Sequence, residues 1–279
     1  MTPTDLTGRT IVITGASSGI GASAARTLAA RGATVIPVGR NHERTTEVAK
    51  VLGTEPLFAD FGKLEDVRAL AAALLDRAPT IDVLVHNAGA VVHEPKTTAD
   101  GFELTAQANY LAPFLLQHLL ADRLSNSKAR AVITSSAAHR MGRLQLDTVF
   151  TVQRPYRGMP VYGTSKLLDL MWARALARRT DSTGVTAVAC HPGVVRSAFA
   201  DASPGPMRWL YGSRLGRLVT ISNAEGAEPL VHLASLSDPR TVNGQYFDRM
   251  KSNASISRQA ADEALGEQLW ARTVEVLGL

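Results

Sequence analysis

The sequence predicts an α/β protein in which a central parallel sheet of about seven strands is doubly wound, with helices on both faces. Two observations lead there. Strand-like segments and longer helical stretches alternate from one end of the 279-residue chain to the other. Most of the strand-like segments are continuous apolar runs rich in β-branched residues, the mark of parallel strands covered on both faces. A chain of 279 residues admits one large domain or two small ones. The unbroken alternation favours a single domain over 1–279.

Strands are expected at 10–14, 34–38, 56–59, 81–86, 131–135, 185–190 and 245–247, and helices near 18–31, 41–52, 63–77, 98–123, 162–180 and 224–236. Pro37 is out of place, because an inner strand would lose a ladder donor there. Two stretches lack any sustained period. Residues 137–161 carry Gly142, Pro155, Gly158 and Pro160, and residues 198–222 mix Pro204, Gly205, Pro206, Gly212 and Gly216 with Trp209, Leu210 and Tyr211. Long irregular segments in a compact domain are usually functional or disordered.

Composition sets outer bounds. With 45% hydrophobic and 20% charged residues, the chain can bury a core without metal or disulfide support. Cys190 is the single cysteine, which rules out an internal disulfide and fits a reducing, cytoplasmic setting. The opening MTPTDLTGRT has no basic segment followed by an apolar run, so no secretory leader is expected. No run approaches the ~18 apolar residues of a membrane span. The net charge of +5 is carried by scattered residues such as Arg174, Arg178 and Arg179, which read as solvated helix faces. No basic stripe suggests nucleic acid. Histidines and acids show no metal-ligand spacing, and no metal is expected.

The first strand runs into Thr14-Gly15-Ala16-Ser17-Ser18-Gly19-Ile20-Gly21, with a helix following at once. Glycines there let the backbone turn tightly and approach a pyrophosphate, and the helix N-terminus supplies amide donors. Taken alone, the run could be a turn that merely needs positive φ. The spacing T-G-x-x-x-G-x-G resembles the short-chain dehydrogenase/reductase family, and later motifs match in order. His86-Asn87-Ala88-Gly89 is similar to the family's N-N-A-G with one substitution, and Asn109 stands in the next helix. Ser135-Ser136 ends the fifth strand, Tyr162-Gly163-Thr164-Ser165-Lys166 is a Y-x-x-x-K motif, and His191-Pro192-Gly193 ends the sixth strand, with Ser197 in the place of a threonine. The resemblance covers roughly Leu6 to Phe247. The 25 residues between Ser136 and Tyr162, with Asn109-Tyr110-Leu111-Ala112-Pro113-Phe114, resemble the retinol-dehydrogenase-like branch.

The resemblance implies a Rossmann-like fold, with a cofactor-binding half over 6–135 and a catalytic and substrate half over 136–250. It implies that Gly15, Ser17, Ser18, Gly19, Ile20 and Gly21 hold the pyrophosphate. Asp60 would meet the adenine, with Phe61 beside it, and Asn87, Ala88, Gly89, Pro192, Gly193, Val195 and Ser197 would also bind the cofactor. Tyr162 would exchange a proton with the substrate oxygen, Lys166 would hold the nicotinamide ribose, and Ser136 would orient the substrate. Asn109 would kink its helix and hold a water linking Lys166 to solvent.

One part of this chemistry follows without the resemblance. Tyr162 and Lys166 are four residues apart, so a helix puts them on one face. A phenol with a reference pKa of about 10 is a poor acid or base near neutrality, and a neighbouring ammonium lowers that value. Alone, the pair reads as an ordinary amphipathic helix surface; beside Ser136, Asn109 and the glycine turn it reads as a site. Cys190, Met171 and Trp172 read as core. His86 and His139 read as packing or loop hydrogen bonds rather than catalysts.

The second strand ends Val38-Gly39-Arg40. Gly39 stands where NAD-preferring relatives carry an acid for the adenosine ribose, and the Arg40 guanidinium can pair with a 2′-phosphate. NADP(H) is therefore the expected cofactor. The expected activity is interconversion of a ketone or aldehyde with an alcohol, on a small and hydrophobic substrate. Two alternatives stand: an epimerase or dehydratase that keeps its cofactor bound, or a dinucleotide-sensing regulator. The first calls for a larger C-terminal domain than the roughly 30 residues after Phe247, and the second for an eroded triad. The 198–222 segment is the candidate lid, with 137–161 as the facing wall. Homo-oligomers of the family pair through helices corresponding to 98–123 and 162–180, a surface the long insert could cover.

Overall fold

The computed structural model describes residues 4–194 and 221–279. Among these, seven parallel strands form one sheet in the order β3-β2-β1-β4-β5-β6-β7. They are β1 (Thr10–Thr14), β2 (Thr34–Gly39), β3 (Leu57–Phe58), β4 (Val83–His86), β5 (Arg130–Thr134), β6 (Thr186–His191) and β7 (Tyr246–Asp248). The order reverses between β1 and β4, which opens a crevice at their carboxyl ends.

Alternate residues of each strand enter opposite cores, which is why the strands read as unbroken apolar runs. Ile11 and Ile13 enter one core with Val83, Val85, Val132 and Val188, while Val12 enters the other with Leu84, Ala131 and Ile133. Helices α1 (Gly19–Ala29) and α8 (Asn223–Ala234) cover the first face. Helices α3 (Leu64–Arg77), α5 (Ala112–Leu119) and α7 (Gly158–Arg179) cover the second. Helix α2 (His42–Leu52) packs beside β2, capped by Asn41 Oδ1 accepting from Arg44 N at 2.9 Å.

Pro37 costs the ladder nothing. Thr34 N donates to Arg9 O and Val38 O accepts from Ala16 N, so even-numbered residues of β2 bond toward β1. Pro37 faces the other edge, where β3 pairs only with Val38 and Gly39.

The segment expected as one helix over 98–123 is broken. Residues 97–103 form a turn closed by a Thr97–Glu103 bridge with Gly101 at φ +89°, and α4 (Leu104–Ala106) starts only where the Glu103 carboxylate caps the amides of Thr105 and Ala106. A π turn over Gln107–Leu111 joins it to α5, and α6 (Ala121–Asn126) follows. Helix α7 begins four residues before Tyr162, at Gly158. A Cβ on Gly158 would lie 3.0 Å from His93 Cα, so the close approach there requires glycine.

The sequence reading passed over the C-terminal helices α9 (Arg258–Ala261) and α10 (Glu263–Leu277). Helix α10 packs on α5 and α7: Leu269 is buried, Trp270 meets Phe114 edge-on at 4.8 Å, and Tyr110 Oη bonds Thr273 Oγ1 at 2.8 Å. Both α10 and the long insert lie against this surface: Trp270 meets Phe114, and Phe150 of the insert stacks on Tyr110 at 6.0 Å. Among the described residues, no helix is long and apolar enough to cross a membrane.

Candidate active site

A cavity of about 1070 Å³ opens along the carboxyl ends of β1, β2, β4, β5 and β6. At one end, Gly15 and Gly19 adopt φ of +68° and +60° and turn β1 into α1. A Cβ on Gly15 would stand 2.8 Å from Ala88 Cα, and one on Gly21 would stand 2.6 Å from Asn87 Nδ2. Only glycines allow β1, α1 and the β4 end to meet this closely. Asn87 locks the junction, donating from Nδ2 to the carbonyls of Thr14 and Gly15. Ser18 at the α1 N-cap makes no capping bond through its side chain, and no acid occupies the first turn. The amides and positive end of α1 thus stay available to an anion, and the cradle fits a pyrophosphate.

Ser17, Ser18, Ile20, Arg40, Asp60, Phe61, Ala88 and Gly89 line the same cavity, as do Ser136, Tyr162, Lys166, Pro192 and Gly193. Arg40 is 79% exposed and sits 3.9 Å from Asp60 Oδ1. Asn41 and Arg44 line the wall beside it. The sequence reading missed Arg44; its spacing from Arg40 on a helix start was the available signal. Phe61 has its ring in the core, which explains its burial. Val195, Ser197 and nearly all of the candidate lid 198–222 lie outside the described residues.

At the other end, Tyr162 and Lys166 project from one face of α7, with Lys166 Nζ 5.7 Å from the Tyr162 ring centroid. Ser136 lines the same cavity and, like Lys166, pulls the Tyr162 pKa down. Burial raises the Tyr162 pKa above the ordinary phenol value, and this exceeds the opposing pull of Lys166 and Ser136. The ammonium does lower the phenol, as expected, but desolvation outweighs it and the net shift is upward. Lys166 Nζ donates to Thr134 O at 2.9 Å and to Asp169 Oδ2 at 2.8 Å. Asp169 was absent from the sequence reading; a lone charge inside the apolar run Leu167 to Trp172 was the signal.

Asn109 stands behind the cleft wall rather than on it. It lies in the π turn of Gln107–Leu111, where its Oδ1 accepts from Ala90 N (2.9 Å) and its Nδ2 donates to Ala90 O (3.0 Å) and to Ser165 Oγ (3.0 Å). Asn109 Oδ1 and Lys166 Nζ approach Gly89 together: a Cβ there would be 3.4 and 3.3 Å from them. Cys190 is buried in β6, and Met171 and Trp172 are core. His86 bonds Gln117 Oε1 at 3.0 Å through Nε2, a side-chain partner rather than backbone, and His139 Nδ1 meets Ser136 O at 2.7 Å. Met141 and Met159, from the 137–161 segment, line the same cavity as Tyr162 and Lys166.

Comparison with known proteins gives one consistent result. The short chain dehydrogenase family profile matches residues 9–206. A protein from Streptomyces sp. (strain C5), named as a daunorubicin C-13 ketoreductase, is 40% identical over 98% of this chain and 94% of its own length. Human retinol dehydrogenase 13 is 33% identical over 98% of this chain and 85% of its own. A crystal structure of a Mycobacterium paratuberculosis protein covers 99% of this chain and 95% of its own at a TM-score of 0.79 and 31% identity. A Shigella flexneri short chain dehydrogenase solved in complex with NADP covers 88% of this chain and 99% of its own at a TM-score of 0.67 and 26% identity. The chain belongs to the short-chain dehydrogenase family, oxidoreductases that interconvert alcohols and carbonyls, and is similar within it to the retinol dehydrogenases.

Proposed function

We propose that the protein is an NADP(H)-dependent oxidoreductase in which Tyr162 is the general acid and base for interconverting a ketone or aldehyde with an alcohol. The observation that carries this is the arrangement of one cavity: Ser136, Tyr162 and Lys166 line it together, as do the glycine cradle, Arg40 and Arg44. When bound, the nicotinamide cofactor supplies or accepts the hydride. Everything else falls to the chain's own side chains. Arg40 and Arg44, with no acid at Gly39, favour a 2′-phosphate over a bare ribose. Lys166 and the β4 end would hold the cofactor beside Gly89.

Ser136 and Tyr162 would share the substrate oxygen, and Tyr162 would give it a proton as the alcohol forms. Burial keeps the Tyr162 phenol protonated at neutral pH, the state from which reduction starts. The Lys166 ammonium then stabilises the phenolate left behind. Met141, Met159 and Val194 in the same cavity suit an apolar substrate, as do the ketoreductase and retinol dehydrogenase names of the relatives. All of 1–279 is proposed to work as one domain, 6–135 for the cofactor and 136–250 for chemistry and substrate.

The test is stoichiometry. With a panel of hydrophobic ketones and aldehydes, one NADPH should disappear per alcohol formed. An epimerase would convert substrate without net NADPH consumption, and a regulator would bind NADPH without turnover.

A further inference from the structure

Between Leu167 and Ala173, α7 is wholly buried, and Asp169 is the single charged residue in that stretch. Its Oδ2 accepts from Lys166 Nζ at 2.8 Å, and its Oδ1 has no hydrogen-bond partner among the described residues. Asp169 is 2% exposed and Lys166 3%. Burying two ions costs several kcal/mol each, and an apolar pair of similar volume often packs as well or better. A half-satisfied carboxylate is therefore a poor packing choice, and this one sits one helical turn behind the reacting end of the cleft.

Among the described residues, the titratable groups nearest the pair are these. Tyr110 on the π turn and Tyr246 on β7 are raised by burial well above ordinary phenols. Cys190 on β6 is pushed up to about 12, again by burial. His86 on β4, in edge contact with Trp172, is pulled down to about 4 by burial. All four are neutral around pH 7, as is Tyr162. Burial lifts Asp169 to about 6 against the pull of Lys166. Burial works against the Lys166 ammonium, yet Asp169 and Tyr162 hold its pKa above the ordinary lysine value.

We propose that Asp169 is a positioning residue for Lys166: it holds the ammonium charged beside Tyr162, and so sets the pH window in which the two work. The proposal rests on the assignment of Tyr162 and Lys166 to the chemistry. Its sign is fixed by electrostatics. A nearby negative charge raises the proton affinity of every neighbour, so removing it lowers both proton-release steps of the coupled Tyr162–Lys166 pair.

The experiment is the pH dependence of kcat in both directions for the full-length protein, its Asp169→Asn variant, and Asp169→Ala, which leaves room for solvent beside the ammonium. Melting and NADPH binding are followed in parallel. Both limbs of the profile should move to lower pH by about one to three units, the usual effect of one close charge. A folded, NADPH-binding Asp169→Asn whose profile superimposes on the parent overturns the proposal. If neither single variant folds, Lys166→Met/Asp169→Asn decides: folding restored by removing both charges supports the clamp, and failure to fold assigns Asp169 to packing. Tyr162→Phe separates the two claims. Near-normal turnover in that variant removes the underlying assignment, whereas an inactive Tyr162→Phe with an unshifted Asp169→Asn profile removes only the role of Asp169.

Discussion

The Cα of Gly39 lies so close to Thr45 that a Cβ there would overlap Thr45 Oγ1 and stand 3.0 Å from Ser17 Cβ. Thr45 is fully buried, and its hydroxyl donates to Asn41 O at 2.6 Å, so it has no easy retreat. The end of β2 is built for glycine, and an acid cannot simply be added there to receive ribose hydroxyls.

Two outcomes follow for cofactor choice. Gly39→Asp alone should destabilise the fold by about 1–3 kcal/mol through overpacking, seen as a lower denaturation midpoint. Combined with Thr45→Ala and Arg40→Leu, it should fold and shift preference from NADPH toward NADH. Arg40→Leu and Arg44→Leu should each weaken NADPH binding by about 1.5–3 kcal/mol while leaving NADH nearly unchanged. Equal affinity of the unaltered protein for the two cofactors contradicts this assignment.

Stability should fall on mild acidification. Burial holds His86 down at about 4 in the folded state, against an ordinary 6.5. The unfolded chain therefore takes up the proton first as pH drops from 6.5 toward 4, and stability present above 6.5 is lost across that window. A shift of this size corresponds to about 3 kcal/mol at full development. His139 and His191, also lowered mainly by burial, act in the same direction. His86→Asn should flatten the decline in urea-denaturation free energy between pH 6.5 and 4; an unchanged slope would place the effect elsewhere.

The C-terminal helix should behave as core. Leu269 is 1% exposed against the α5–α7 layer, so Leu269→Ala should cost about 2–5 kcal/mol. NADPH affinity should stay near normal, since α10 does not reach the cleft. A loss below about 1 kcal/mol would mean that the helix is a loosely held appendage.

Most of the scaffold was legible in the sequence because its signals are local. The two-sided burial of Ile11, Val12 and Ile13 writes itself as an apolar run. The glycines of the first turn are demanded by contacts that no side chain survives. What was hidden depends on partners distant in sequence. Leu265, Leu269 and Leu277 give α10 a helical stripe, but Thr273 interrupts it, and only Tyr110 across the fold shows why a hydroxyl belongs there. The break in the 98–123 helix turns on the Glu103 carboxylate folding back onto its own amides. Asn109 could be assigned to the site by motif, but not to the layer behind the cleft wall, because that depends on Ala90 and Ser165. Burial, the factor that decides the Tyr162 pKa, is a property of the packed molecule alone.

The most direct test of the proposed chemistry is the turnover of Tyr162→Phe with NADPH and a ketone that the parent protein reduces. The phenolic hydroxyl is the only group this substitution removes. NADPH affinity should be retained while kcat drops by about 10²–10⁴-fold, the usual contribution of a general acid. A Tyr162→Phe protein that reduces the ketone at close to the parental rate would contradict the assignment of Tyr162 as proton donor.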